Sequence, residues 1–243
     1  MTQQNTNIEF ETKKAIIIYQ RDYSLTRLLD CNGCKSLADM PISQHDIQVV
    51  THSALGMGIP EKDIVFIEDW SSSEMNQAFQ QITREFMEIG AQGKRSFLYV
   101  YCLGRGVLER QQYMILNSTQ ENLFNLEQAC INVCKQTKNM CTVFSVYDMK
   151  KDFLIRYPGL QKSNVELDFS PIPDVEADKK LPFWFLQSTE TLGVAKSSHN
   201  LARELLERLQ QNGSDGSISF PDTFSNFSPG KIGSTAGAVR FSI

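Results

Sequence analysis

The most reactive side chains in this chain belong to six cysteines. Cys31-Asn32-Gly33-Cys34 has the spacing of half a zinc site, and Cys130 and Cys134 stand one helical turn apart. Together they would offer four thiolates of the kind zinc takes. There is no second Cys-x-x-Cys, so the pattern reads as separate thiols in a loop and on a helix face, and no metal is expected. Cys102 lies at the end of an apolar run and reads as a packed thiol. Gly104-Arg105-Gly106 and Gly56-Met57-Gly58 are fragments of phosphate-binding loops. Neither has the full glycine fingerprint or the lysine-serine ending that such loops use, so no nucleotide cofactor is expected. The remaining candidates are cations. Arg105 follows one apolar run, and Lys150 and Lys151 follow another. A guanidinium stays charged near neutral pH. It can hold a carboxylate in a planar fork, but it cannot act as a general base.

The elements that would position these residues follow from hydrophobic patterning. Ala15-Ile16-Ile17-Ile18-Tyr19, Ile64 to Ile67, Ser96 to Tyr101 and Thr142 to Tyr147 are short, continuous apolar runs. That is how strands buried on both faces of a parallel sheet read. Between them come helical patterns. Gln44 to Leu55 carries Ile47, Val50 and Leu55, with Ser43 as a cap and Gly56-Met57-Gly58 as a stop. A second helix starts at Ser71-Ser72-Ser73-Glu74 and repeats apolar residues at Met75, Ala78, Phe79, Ile82, Phe86 and Ile89. Leu123 to Val133 reads as a third, and Gln112 to Leu116 as a short strand or hairpin arm. The alternation predicts an α/β fold, a mostly parallel sheet with helices on both faces. Such sheets place their sites outside the carboxyl ends of the strands. The informative residues are then those just after Tyr19, Ile67, Tyr101 and Tyr147.

Composition bounds the function. The chain has 243 residues, 41% of them hydrophobic, enough for a real core. A formal net charge of −4 provides no field to draw nucleic acid. No apolar run is long enough to cross a bilayer, so no membrane insertion is expected. Met1 to Lys14 is polar, contains Glu9 and Glu11, and reads as neither a secretory signal nor a transit peptide. A cytoplasmic protein with reduced thiols is the expectation.

The order and spacing of these segments from about Lys13 onward resemble the caspase and metacaspase family. Leu37-Ala38-Asp39-Met40-Pro41 through His45-Asp46 to Gly58-Ile59-Pro60 is similar to its first loop and helix. Asp63 to Asp69 and Ser73-Glu74-Met75 are similar to its second strand and helix start. Phe97 to Val107 resembles the strand and loop that carry the catalytic histidine, and Val143 to Asp148 the strand that carries the catalytic cysteine. Pro182 to Gly193, then Leu201 to Leu209, resembles the small-subunit strand and helix. The resemblance implies a three-layer caspase-like sheet. It divides the chain into a polar arm (1–12), a large-subunit-like region (13–152), a connecting loop (153–180), a small-subunit-like strand and helix (181–212) and a Ser/Gly/Phe-rich end (213–243). The family's second small-subunit helix has no counterpart in Ser217 to Lys231. Val239, Phe241 and Ile243 alternate, which predicts a last strand at an edge of the sheet or against another protein.

In that family an imidazole within Ser-Gly-His-Gly activates a thiol within Asp-x-Cys. Here the matching segments are Leu103-Gly104-Arg105-Gly106 and Asp148-Met149-Lys150-Lys151, so arginine and lysine stand at the dyad positions. The resemblance therefore implies a pseudoprotease with no catalytic residues, working as a structural or interaction subunit of a protein assembly. A cytoskeletal or ciliary complex is one such setting. The alternatives are a cysteine peptidase with displaced residues and a nucleotide-binding α/β enzyme. In the caspase-like arrangement Arg105, Lys150 and Lys151 would share a shallow cleft. Such close cations need an anion between them. Asp148 or Asp152 could supply it internally, or a partner's carboxylate could.

Overall fold

The computed structural model describes residues 7–23, 42–109, 112–116, 123–150, 181–188, 200–212, 217–220, 230–234 and 239–242. After a two-residue strand β1 (Asn7–Ile8), the chain enters β2 (Thr12–Tyr19), in which Ala15 to Ile18 are wholly buried. There follow α1 (Gln44–Gly56), β3 (Ile64–Glu68), α2 (Ser72–Ala91), β4 (Ser96–Glu109), β5 (Gln112–Leu116), β6 (Leu123–Asn125), α3 (Leu126–Gln136) and β7 (Cys141–Lys150). Then come β8 (Phe183–Ser188), α4 (Asn200–Asn212), β9 (Ser217–Phe220), β10 (Gly230–Ser234) and β11 (Val239–Ser242).

Helix starts are set locally. Ser43 and Ser71 each close a capping box, with Asp46 and Glu74 returning the bond to the cap backbone. Two of the orphan amides at each helix start are satisfied in this way. Asn125 caps α3 by accepting from the Gln128 amide at 2.9 Å. The helical pattern from Leu123 thus begins three residues later than its periodicity predicts, because Leu123 to Asn125 pairs as a strand with β5. Tertiary pairing overrides the local apolar period.

The main sheet runs in the order β10-β8-β7-β4-β2-β3, and only β10 is antiparallel to its neighbour. One face packs on α1 and α4: Ile17, Tyr99, Tyr101, Phe144 and Trp184 meet Ile47, Val50, Leu201 and Leu205. The other packs on α2 and α3: Ile16, Val100, Cys102 and Val143 meet Met75, Phe79, Cys130 and Val133. This is the three-layer α/β arrangement expected from the alternating elements. Each fully buried Ile, Leu or Phe stabilises it by roughly 1.5–3 kcal/mol relative to exposure.

The last strand differs from expectation. Among the described residues β11 joins no edge of the main sheet. It is the central strand of a separate three-stranded sheet, parallel to β1 and antiparallel to β9. The main-sheet edge beside β8 is instead taken by β10. The polar arm likewise contributes a strand. Alternation of apolar residues specifies a strand but carries no information about its neighbour.

Candidate functional site at the carboxyl ends of the central strands

β2 has β3 on one side and β4 on the other, so successive connections leave it in opposite directions. A crevice opens at such a switch point, outside the carboxyl ends. Four segments meet at this end of the sheet: Gln20 to Tyr23 after β2, Glu68 to Trp70 at the end of β3, Leu103 to Gly106 on β4, and Asp148 to Lys150 closing β7.

The loop after β2 is held by its neighbour. Asp69 has a left-handed backbone, with φ of 41°. A non-glycine residue pays for this conformation in sterics, and Asp tolerates it better than most. Its amide donates to the Tyr19 carbonyl at 3.0 Å. Its carboxylate accepts from the amides of Arg21 at 2.7 Å and Asp22 at 3.0 Å. Arg21 pairs with Glu68, and its guanidinium lies over the Tyr19 ring. Gln20, buried, donates its backbone N–H to the Leu103 carbonyl at 3.1 Å and its side-chain amide to the Asp22 carbonyl at 2.6 Å.

These bonds deliver Tyr23 to β4. The Tyr23 hydroxyl accepts from the Arg105 amide at 2.7 Å, and the Arg105 guanidinium sits 5.3 Å from the centre of its ring. Both side chains are buried, Arg105 to 5% exposure. Gly104 makes room for the phenol: a Cβ there would stand 3.0 Å from the Tyr23 hydroxyl. Burial pushes the Tyr23 hydroxyl well above the usual phenol range, so it stays neutral.

β4 changes partners at this point. Arg105 is its last residue paired with β7, and Gly106 its first paired with β5. In the β4–β7 register Leu103 lies beside Asp148 and Arg105 beside Lys150. Neighbouring strands run about 4.8 Å apart, so the two positions singled out by sequence are adjacent on the backbone. Asp148 is buried and accepts from the Tyr101 hydroxyl at 3.0 Å. Burial, then the Asp148 charge, drives the Tyr101 phenol far up. The Lys150 side chain, Lys151 and Asp152 lie outside the described residues. The resemblance implies Arg105 in a shallow cleft; in the structure it is buried beneath Tyr23.

The described cysteines sit elsewhere. Cys102 is on the α2/α3 face, as alternation from Tyr101 requires, and Cys130, Cys134 and Cys141 are buried in the same cluster. Burial raises all four thiols, Cys134 to about 12. Among the described residues no group of three or more His, Cys, Asp or Glu is placed to hold a metal ion. Cys31 and Cys34 lie outside those residues. No described helix is long and apolar enough to cross a membrane.

No local sequence pattern singles out Tyr23, Asp69 or Gln20. They fall at the carboxyl-end positions just after Tyr19 and Ile67, but their roles depend on bonds between segments that no local pattern encodes.

No family model matches this chain, and no curated protein sequence matches it. Its fold is similar to that of a solved structure, the crystal structure of the Drosophila initiator caspase Dronc. The two share 9% identity with a TM-score of 0.58, over 95% of this chain and 82% of that one.

Proposed function

We propose that this chain is a caspase-like protein without a protease dyad, acting through binding of other proteins as an interaction or structural subunit of a larger assembly. The observation that supports it most is the β4–β7 register. Arg105 and Lys150 are backbone neighbours at the carboxyl ends of two central strands, where the caspase resemblance calls for imidazole and thiol. Arginine cannot take a proton from a nucleophile near neutral pH, and lysine is no thiol. The described cysteines are buried with raised thiol pKa, the opposite of an activated nucleophile.

The test is turnover. Purified protein is expected not to cleave peptides with arginine, lysine or aspartate at the cut site, with or without calcium, because loss of the dyad removes most of the chemical acceleration. Cleavage that co-elutes with the protein and is blocked by labelling one cysteine would replace this reading with that of a displaced cysteine peptidase.

The ligand this site would take is a partner's carboxylate, held by Arg105, Lys150 and Lys151 once Tyr23 moves aside. Glutamine at Arg105 and Lys150 together should weaken partner binding and flatten its salt dependence. Binding unchanged at every salt concentration would place the partner elsewhere.

A further inference from the structure

The far edge of the main sheet carries a second feature. Among the described residues β3 pairs only with β2, and no described strand pairs with its outer side. Edge strands are ordinarily blunted by lysine, proline, a bulge or a covering loop. β3 reads Ile-Val-Phe-Ile-Glu, with Val65 39% and Phe66 45% exposed. An apolar edge strand without these devices is a template on which another chain can pair.

A groove of about 350 Å³ runs along this edge, between β3 and α2. One stripe of α2 walls it: Glu74, Gln77, Gln81 and Glu85, spaced three or four residues apart. Glu68 closes the strand end, and Lys14 is the one cation among the described lining residues. Lys14 is paired with Glu85 and reaches Asp63 at 3.8 Å, so the positive charge is already answered. Glu74 stays a carboxylate through its bonds from Ser71. Glu85 is paired with Lys14 and Glu68 with Arg21, yet three carboxylates stand against one cation in the described lining, so the groove keeps a net negative charge; Gln77, Gln81 and apolar side chains of β3 and α2 make up the rest of its wall.

We propose that β3 is a docking edge for an extended segment of another protein, one that alternates basic and apolar residues. The segment adds a strand beside β3. Its lysine or arginine side chains fall on the Glu74–Glu85 stripe of α2, and its apolar side chains fall beside Phe66. Side chains of an added strand alternate between faces, which is why one sequence can satisfy both walls. This surface lies on the β3 edge, away from the Arg105 position, and stands whether or not the protein has lost catalysis.

The experiment measures fluorescence anisotropy of a labelled, end-capped peptide of about seven residues alternating lysine and valine. A peptide alternating glutamate and valine is the comparison, and the full chain is the receptor. Binding of the basic peptide is expected, with little or none of the acidic one. Gln77→Lys with Gln81→Lys alters two exposed helix positions and should weaken the basic peptide at least about tenfold while thermal unfolding stays the same. Phe66→Lys, a charge on the strand itself, should weaken it as well. Equal binding of the two peptides, or indifference to both variants, overturns the proposal. A wild-type dimer in sedimentation that Phe66→Lys converts to monomer also overturns it, since the occupant would then be a second copy of this chain.

Discussion

At the scale of single residues, the site is organised by Asp69 as much as by Arg105. Asp69 accepts two amides from the loop after β2 and does so from a left-handed backbone. That loop carries Tyr23, and Tyr23 covers Arg105. Asp69→Ala should lower stability by about 1–2 kcal/mol, through lost side-chain-to-backbone bonds at an exposed site and a conformation alanine resists. Asp69→Gly loses the same bonds but accepts the backbone. The left-handed cost it avoids is about 1–2 kcal/mol, larger than glycine's extra unfolded-state entropy of about 0.4–1 kcal/mol. Denaturant unfolding should therefore rank wild type above Asp69→Gly, and Asp69→Gly above Asp69→Ala. A reversed order of the two variants would mean that the backbone conformation carries no cost.

At the scale of elements, the sheet depends on helices supplied from both halves of the chain. α1 and α4 lie some 150 positions apart in sequence and share one face, where Leu205 is wholly buried and Leu209 nearly so. Gly56, at the end of α1, lies under Leu209, with 3.6 Å from its Cβ position to the leucine methyl. Leu205→Ala should cost about 2–5 kcal/mol, the range for a cavity in a packed core. The measurement is the shift in denaturant midpoint at constant slope. A loss under 1 kcal/mol would show that α4 is not held on this face.

At the scale of the whole molecule, the two ends of the chain are tied together. Asn7 lies beside Arg240 and Ile8 beside Phe241, with β11 between β1 and β9. Cysteines placed at Asn7 and Arg240 should oxidise to a cross-link, because adjacent strands bring Cα atoms within disulfide reach. A mobility change on non-reducing electrophoresis, absent from either single variant, reads this out. Closing so long a loop should also raise the thermal midpoint. No cross-link under mild oxidant would contradict the pairing.

The sequence by itself determined the central strands β2, β3, β4 and β7 and the starts of α1 and α2. Buried parallel strands read as unbroken apolar runs such as Ala15 to Tyr19, and serine caps mark the starts of α1 and α2. From these came the layer order, and from the resemblance the adjacency of Arg105 and Lys150. Tertiary structure alone decided three things. It turned Leu123 to Asn125 from helix into strand, because pairing with β5 outweighs a marginal local period. It placed β11 in a second sheet, because an alternating strand presents the same ladder to any neighbour. It buried Arg105 under Tyr23, because that contact spans 82 positions and rests on a glycine at 104 and a carboxylate at 69, none of them related by a local repeat.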